Sequence, residues 1–69
     1  MLTIYQILAR AYNATDRRRK RELNTMACAE VDSVTYQVAE YWSRRYSEEM
    51  EWLEQEIQRE EAKEEGKGE

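Results

Sequence analysis

The chain contains no proline, and its two glycines stand at positions 66 and 68, so nothing before residue 66 obliges a helix to end. The polar stretches are filled with Arg, Lys, Glu and Ala, all good helix formers. One short alternation, Val34, Tyr36 and Val38, has the period of a strand, but a lone strand has no partner in a chain that is otherwise helical. The expected fold class is therefore all-α. The 69 residues leave room for one small domain.

The first helix is signalled at Thr3, where Thr3-x-x-Gln6 forms a capping box ahead of Ile4, Ile7, Leu8 and Ala11, with Tyr5 and Tyr12 extending the apolar face. Asn13, Thr15 and Asp16 offer a place to kink, but the residues around them favour one continuous helix over about 3–30. Val31-Asp32-Ser33 is the expected turn, because Asp and Ser compete with the backbone for hydrogen bonds and cap helices. A second helix is expected over about 33–61, through Val34, Val38, Tyr41, Trp42, Tyr46, Met50, Leu53 and Ile57. The single helical domain then covers 1–62, and the charged tail 63–69 is expected to fray.

Folding back at 31–33 gives an antiparallel helical hairpin in which facing residue numbers sum to about 64. Leu8 then lies near Leu53 and Ile57, Tyr12 near Met50 and Trp52, and Met26 near Val38. Charge runs the same way. Residues 1–21 carry six basic groups and one acid, whereas residues 22–69 carry five basic groups and fourteen acids, giving the formal net charge of −4. The hairpin places Arg17–Arg21 beside Glu48, Glu49 and Glu51, so the two halves should attract each other. Pairs at i and i+4 are expected for Asp16–Lys20, Arg18–Glu22, Glu40–Arg44, Arg44–Glu48 and Arg45–Glu49.

The second helix carries more apolar surface than one neighbour can cover. Its apolar residues spread over an arc of about 180°, whereas a single partner helix covers about 100°. A chain this short also commonly needs a staple: a disulfide framework, a structural metal or a second copy. There is no histidine, and Cys28 is the only cysteine, so oligomerisation is left. Two hairpins packed as an antiparallel four-helix bundle, a homodimer, are the expectation.

The same composition excludes most chemistry. With no histidine and no glycine before residue 66, the chain lacks the parts of a catalytic triad, a phosphate-cradling loop or a dinucleotide fingerprint. No enzyme activity, metal or cofactor is expected. Cys28 reads as a small buried residue near the turn, and a lone thiol suits a reducing, cytoplasmic setting. No apolar run approaches the length of a membrane span, and no secretory signal is visible.

Candidate binding residues follow from side-chain type. Tyr, Trp and Arg dominate interface hot spots, and Tyr36, Trp42, Arg44, Arg45, Tyr46 and Trp52 are concentrated on the second helix. Tyr36 projects outside the apolar arc, as a surface anchor. Trp42 and Tyr46 suit the core or the dimer seam, and Arg45 and Glu49 suit a charged pair at its margin. The run Arg17, Arg18, Arg19, Lys20 and Arg21 offers a different reading, a small DNA-binding regulator, although the surrounding acids argue against direct nucleic-acid binding. The segment from Glu48 to Glu69 holds ten acids against three bases and would draw a basic protein surface.

In length and layout, with Tyr36, Tyr41, Trp42, Tyr46 and Trp52 on the second helix, the basic run at 17–21 and the Glu-rich end, the chain resembles small phage-encoded host-takeover inhibitors. Among these it is similar to the quorum-sensing anti-activators of Mu-like Pseudomonas phages. The resemblance implies a protein that binds and silences a host transcriptional regulator through its DNA-binding domain, with a second host target such as a pilus-assembly ATPase. It assigns no residue a role.

Overall fold

Thr3 opens the first helix as its capping box requires: the Gln6 N–H donates to Thr3 Oγ1 at 3.1 Å, and the Thr3 N–H donates to Gln6 Oε1 at 3.1 Å. The computed structural model describes residues 2–67, with side chains through residue 63. Helix α1 spans Ile4–Cys28 without interruption, and Asn13–Asp16 lie inside it. The chain becomes extended at Ala29, and Ser33 starts the next helix. Ser33 Oγ accepts the Tyr36 N–H at 3.1 Å and donates to the Glu30 carbonyl at 2.6 Å, so one hydroxyl both closes the turn and caps the helix. Replacing Ser33 by Ala should lower the stability by about 1 kcal/mol, a loss readable as a lower urea midpoint by circular dichroism.

Helix α2 spans Val34–Lys67 and runs back along α1, so the protein is an all-α antiparallel hairpin, a rod of 55 × 20 × 12 Å. The helix continues past the expected end at 61, where the tail was to fray. Glu and Lys favour helix, the first glycine comes only at 66, and Lys63 Nζ lies 3.1 Å from Glu60 Oε1, one turn back. Residues 68 and 69 of the expected tail lie outside the described residues.

The seam between the helices follows heptad-like spacing. On α1 it is Leu8, Tyr12, Thr15, Arg19, Glu22 and Met26; on α2 it is Tyr36, Ala39, Ser43, Tyr46, Met50, Leu53 and Ile57, all buried or half-buried. Among the described residues four are buried, Thr15, Ala39, Ser43 and Leu53, and three of them are small, which lets the helices approach closely. Across the seam Ser43 Oγ lies 3.8 Å from Met26 Sδ, while its closer partner is the Glu40 carbonyl at 2.8 Å. Tyr12 shares a depression with Met50, Glu51 and Glu54, and Arg19 shares it with Ser47.

The hairpin forms, but α2 is rotated from the expected orientation. Val34, Val38, Tyr41 and Trp52 point to solvent, so Trp52 does not meet Tyr12, and Met26 meets Ser43 rather than Val38. Two stripes on α2 compete for α1, and the one with Ala39 and Ser43 wins because α1 brings Arg19 and Glu22 to the middle of the seam. Arg19 has Ser47 beside it at the edge of the seam, whereas a ridge of Val and Trp would strip water from the charged heads without replacing it. Cys28 is exposed rather than buried, because it falls on the side of α1 that turns away from α2.

Candidate protein-interaction surface

Among the described residues ten large apolar side chains are exposed: Leu2, Ile4, Ile7 and Leu23 on or just before α1, Val31 in the turn, and Val34, Val38, Tyr41, Trp42 and Trp52 on α2. Against them the enclosed apolar core is Ala39 and Leu53. The chain exposes 5723 Å², about 1,100 Å² more than the roughly 4,600 Å² of a compact monomer of its mass. That surplus exceeds the ~800 Å² each partner hides in a standard protein interface.

The apolar side chains are not scattered. At about 100° per residue, Ile4, Ile7, Ala11 and Ala14 of α1 fall on the same broad side of the antiparallel pair as Val38, Trp42, Tyr46 and Glu49 of α2. The opposite side carries Tyr5, Tyr12, Asp16, Tyr36 and Ser47, in keeping with the depression shared by Tyr12, Arg19 and Ser47. On the first side Trp42 is the hub of an aromatic cluster: Tyr41 meets it edge-on with ring centroids 5.3 Å apart, and Tyr46 stacks on it at 6.0 Å. The cluster holds the indole in place before any partner arrives, which lowers the entropy lost on binding.

Of the six candidate anchors, Trp42, Arg45 and Tyr46 line one shallow depression with Glu48 and Glu49. Trp52, 57% exposed, stands on the same flank of α2 as Arg45, two turns further on. Tyr36 and Arg44 do not join them. Tyr36 is half-buried at the far edge of the seam rather than a free surface anchor, because Ser43, its neighbour on the wheel, is packed against α1. Arg44 is exposed and paired with Glu40. Arg45 and Glu49 line the depression without forming an ion pair, since both heads remain in water. Exposed Ile4, Ile7, Val38 and Tyr41 belong to this surface and were not among the candidate anchors.

The basic run divides. Arg19 turns into the seam, where its Nε is buried without a partner, while its Nη2 lies 3.1 Å from Asp16 Oδ1. Lys20 Nζ lies 3.1 Å from Asp16 Oδ2. Hydrogen bonds from Lys20 and then Arg19 hold the Asp16 carboxyl below its ordinary value. Arg17, Arg18 and Arg21 point outward. Among the described residues every ion pair joins positions three or four apart on one helix, so the basic run is not neutralised by the acids of α2 as expected. Of the expected i, i+4 pairs, Asp16–Lys20 and Glu40–Arg44 form. Arg18–Glu22 is absent among the described residues because Glu22 turns toward the seam while Arg18 stays outside. Arg44 takes Glu40 rather than Glu48.

Among the described residues no group of three or more His, Cys, Asp or Glu side chains is placed to hold a metal, and no helix is long and apolar enough to cross a membrane. No protein-family model matches the chain, and no curated protein or solved structure matches it either.

Proposed function

We propose that this chain is a non-enzymatic interaction module that acts as a homodimer and inhibits a host protein by covering a surface that protein needs, in the first place the DNA-binding domain of a transcriptional regulator. The observation that carries the reading is the inversion of apolar surface: Val34 is 75% and Trp52 57% exposed, while the seam encloses Ala39, Ser43 and Thr15. Exposed apolar area on this scale marks a surface that another protein covers.

The broad side with Ile4, Ile7, Val38, Trp42 and Tyr46 suits a second copy, giving the four-helix bundle that supplies a larger core. The outer edge of α2, with Tyr41, Arg44, Arg45 and Trp52, is then free for the host protein. Glu48, Glu51, Glu54 and Glu61 are exposed along that helix and steer a basic partner such as a DNA-binding domain. The resemblance to phage takeover inhibitors supports the same reading, with a quorum-sensing regulator as target, a second host target and action in the bacterial cytoplasm.

Sedimentation velocity from 1 to 100 µM tests the homodimer, and a single hairpin-sized species throughout would remove it. Titration calorimetry against a purified regulator in the absence of DNA tests the inhibitor. Heat of binding is expected, together with release of the regulator from its promoter. No heat, with the promoter complex intact, would overturn the reading.

A further inference from the structure

The outer edge of α1 differs in chemistry from the broad apolar side. Arg10, Arg17 and Arg21 lie on one line along it, with Arg18 beside them, over about 16.5 Å of helix. All four are exposed, and none takes part in an ion pair among the described residues. Ala14 forms the floor of two shallow depressions on this edge, one lined by Arg10, Asn13, Asp16 and Arg17, the other by Arg17, Arg18 and Arg21.

The carboxylate that borders this edge, Asp16, is already engaged by Arg19 and Lys20. The other carboxylate of helix α1, Glu22, is half-buried on the seam side. Neither lies within the arc of about 140° centred on the arginine line. The carboxylates of α2 lie on the neighbouring helix, and among the described residues none is paired with these four arginines.

We propose that the Arg10, Arg17, Arg18 and Arg21 edge is a docking surface for the phosphate backbone of duplex DNA, separate from the protein-binding surface and independent of the inhibitor reading. Charge and polarity select the occupant. A protein interface needs an apolar centre, and this edge offers only Ala14 among arginines, Asn13 and the paired Asp16. Protein–DNA interfaces are the more polar and more positive kind. The guanidinium fork pairs with phosphate oxygens through two parallel hydrogen bonds, and a single α-helix fits the major groove. No base-reading residues are assigned, so binding is to backbone and independent of sequence. Arg10, Arg17 and Arg21 stand on the narrow edge, so a second copy on the broad side leaves that line open, with Ala14 and Arg18 at its border.

The test is fluorescence anisotropy with a labelled duplex of about 24 base pairs and mixed sequence, titrated with the full chain at several salt concentrations. Four phosphate contacts predict a slope of about −3.6 in log K against log salt, a loss of about 150-fold between 50 and 200 mM. Arg17→Gln with Arg21→Gln should halve the slope and reduce that loss to about 12-fold. Arg59→Gln with Lys63→Gln removes the same charge from α2 and should leave the slope unchanged. Circular dichroism confirms that both double variants stay helical. No anisotropy change at 50 mM salt with about 100 µM protein, or equal slopes in the two double variants, would overturn the proposal. Tighter binding to a labelled oligo-glutamate helix than to the duplex would also overturn it, in favour of an acidic protein partner.

Discussion

Leu53→Ala should abolish most of the helical circular dichroism at 25 °C when the protein is held at a few micromolar. Leu53 is 4% exposed and, among the described residues, is the one large apolar side chain the hairpin buries; its companions at the seam are Ala39, Ser43 and Thr15. Truncating a buried leucine removes about 2–5 kcal/mol, through lost transfer energy and the cavity left behind. A core in a chain of this size rarely supplies more than about 3–5 kcal/mol in total. The loss is therefore comparable with the whole stability. Trp52→Ala provides the contrast: its ring is largely in water within one hairpin, so the thermal midpoint at the same concentration should hardly move. If Leu53→Ala melts with the wild-type midpoint, the hairpin seam is not what holds the fold.

The second large effect is expected at Trp42. Its ring touches Tyr41 and Tyr46 and lines the depression with Arg45, so truncation to Ala removes the centre of the aromatic cluster while leaving the enclosed seam residues Thr15, Ala39, Ser43 and Leu53 in place. A hot-spot tryptophan is worth about 2 kcal/mol or more, which is about 30-fold in a dissociation constant. Sedimentation velocity should show self-association weakened by at least that factor, with the helical signal of the monomer preserved. Unchanged association would place the dimer contact elsewhere on the hairpin.

What the sequence made legible is what local chemistry decides. Thr3 and Gln6, and Ser33 with Glu30, settle their caps through residues three apart, so both helix starts and the turn could be read from the chain. The seam could not. Two stripes on α2 share heptad spacing, one with Tyr36, Ala39, Tyr46, Met50, Leu53 and Ile57 and one with Val34, Val38, Tyr41 and Trp52, and the expected register drew partners for α1 from both. The choice is made by partners on α1, where Thr15, Arg19 and Glu22 occupy the middle of the contact. The same rotation moved Tyr36 and Ser43 from expected surface to seam edge and core. The basic run misled for a related reason. Five consecutive charges read as one unit along a sequence, whereas a helix sends them around its circumference and brings Arg10 into line with Arg17 and Arg21.

A hairpin closed by one short turn, whose hydrogen bonds run almost wholly between near neighbours in the chain, has little distance to search while folding. Such topologies complete themselves in microseconds to milliseconds, far faster than folds that must join remote segments. The molecule is thus suited to becoming competent almost as soon as it has been synthesised.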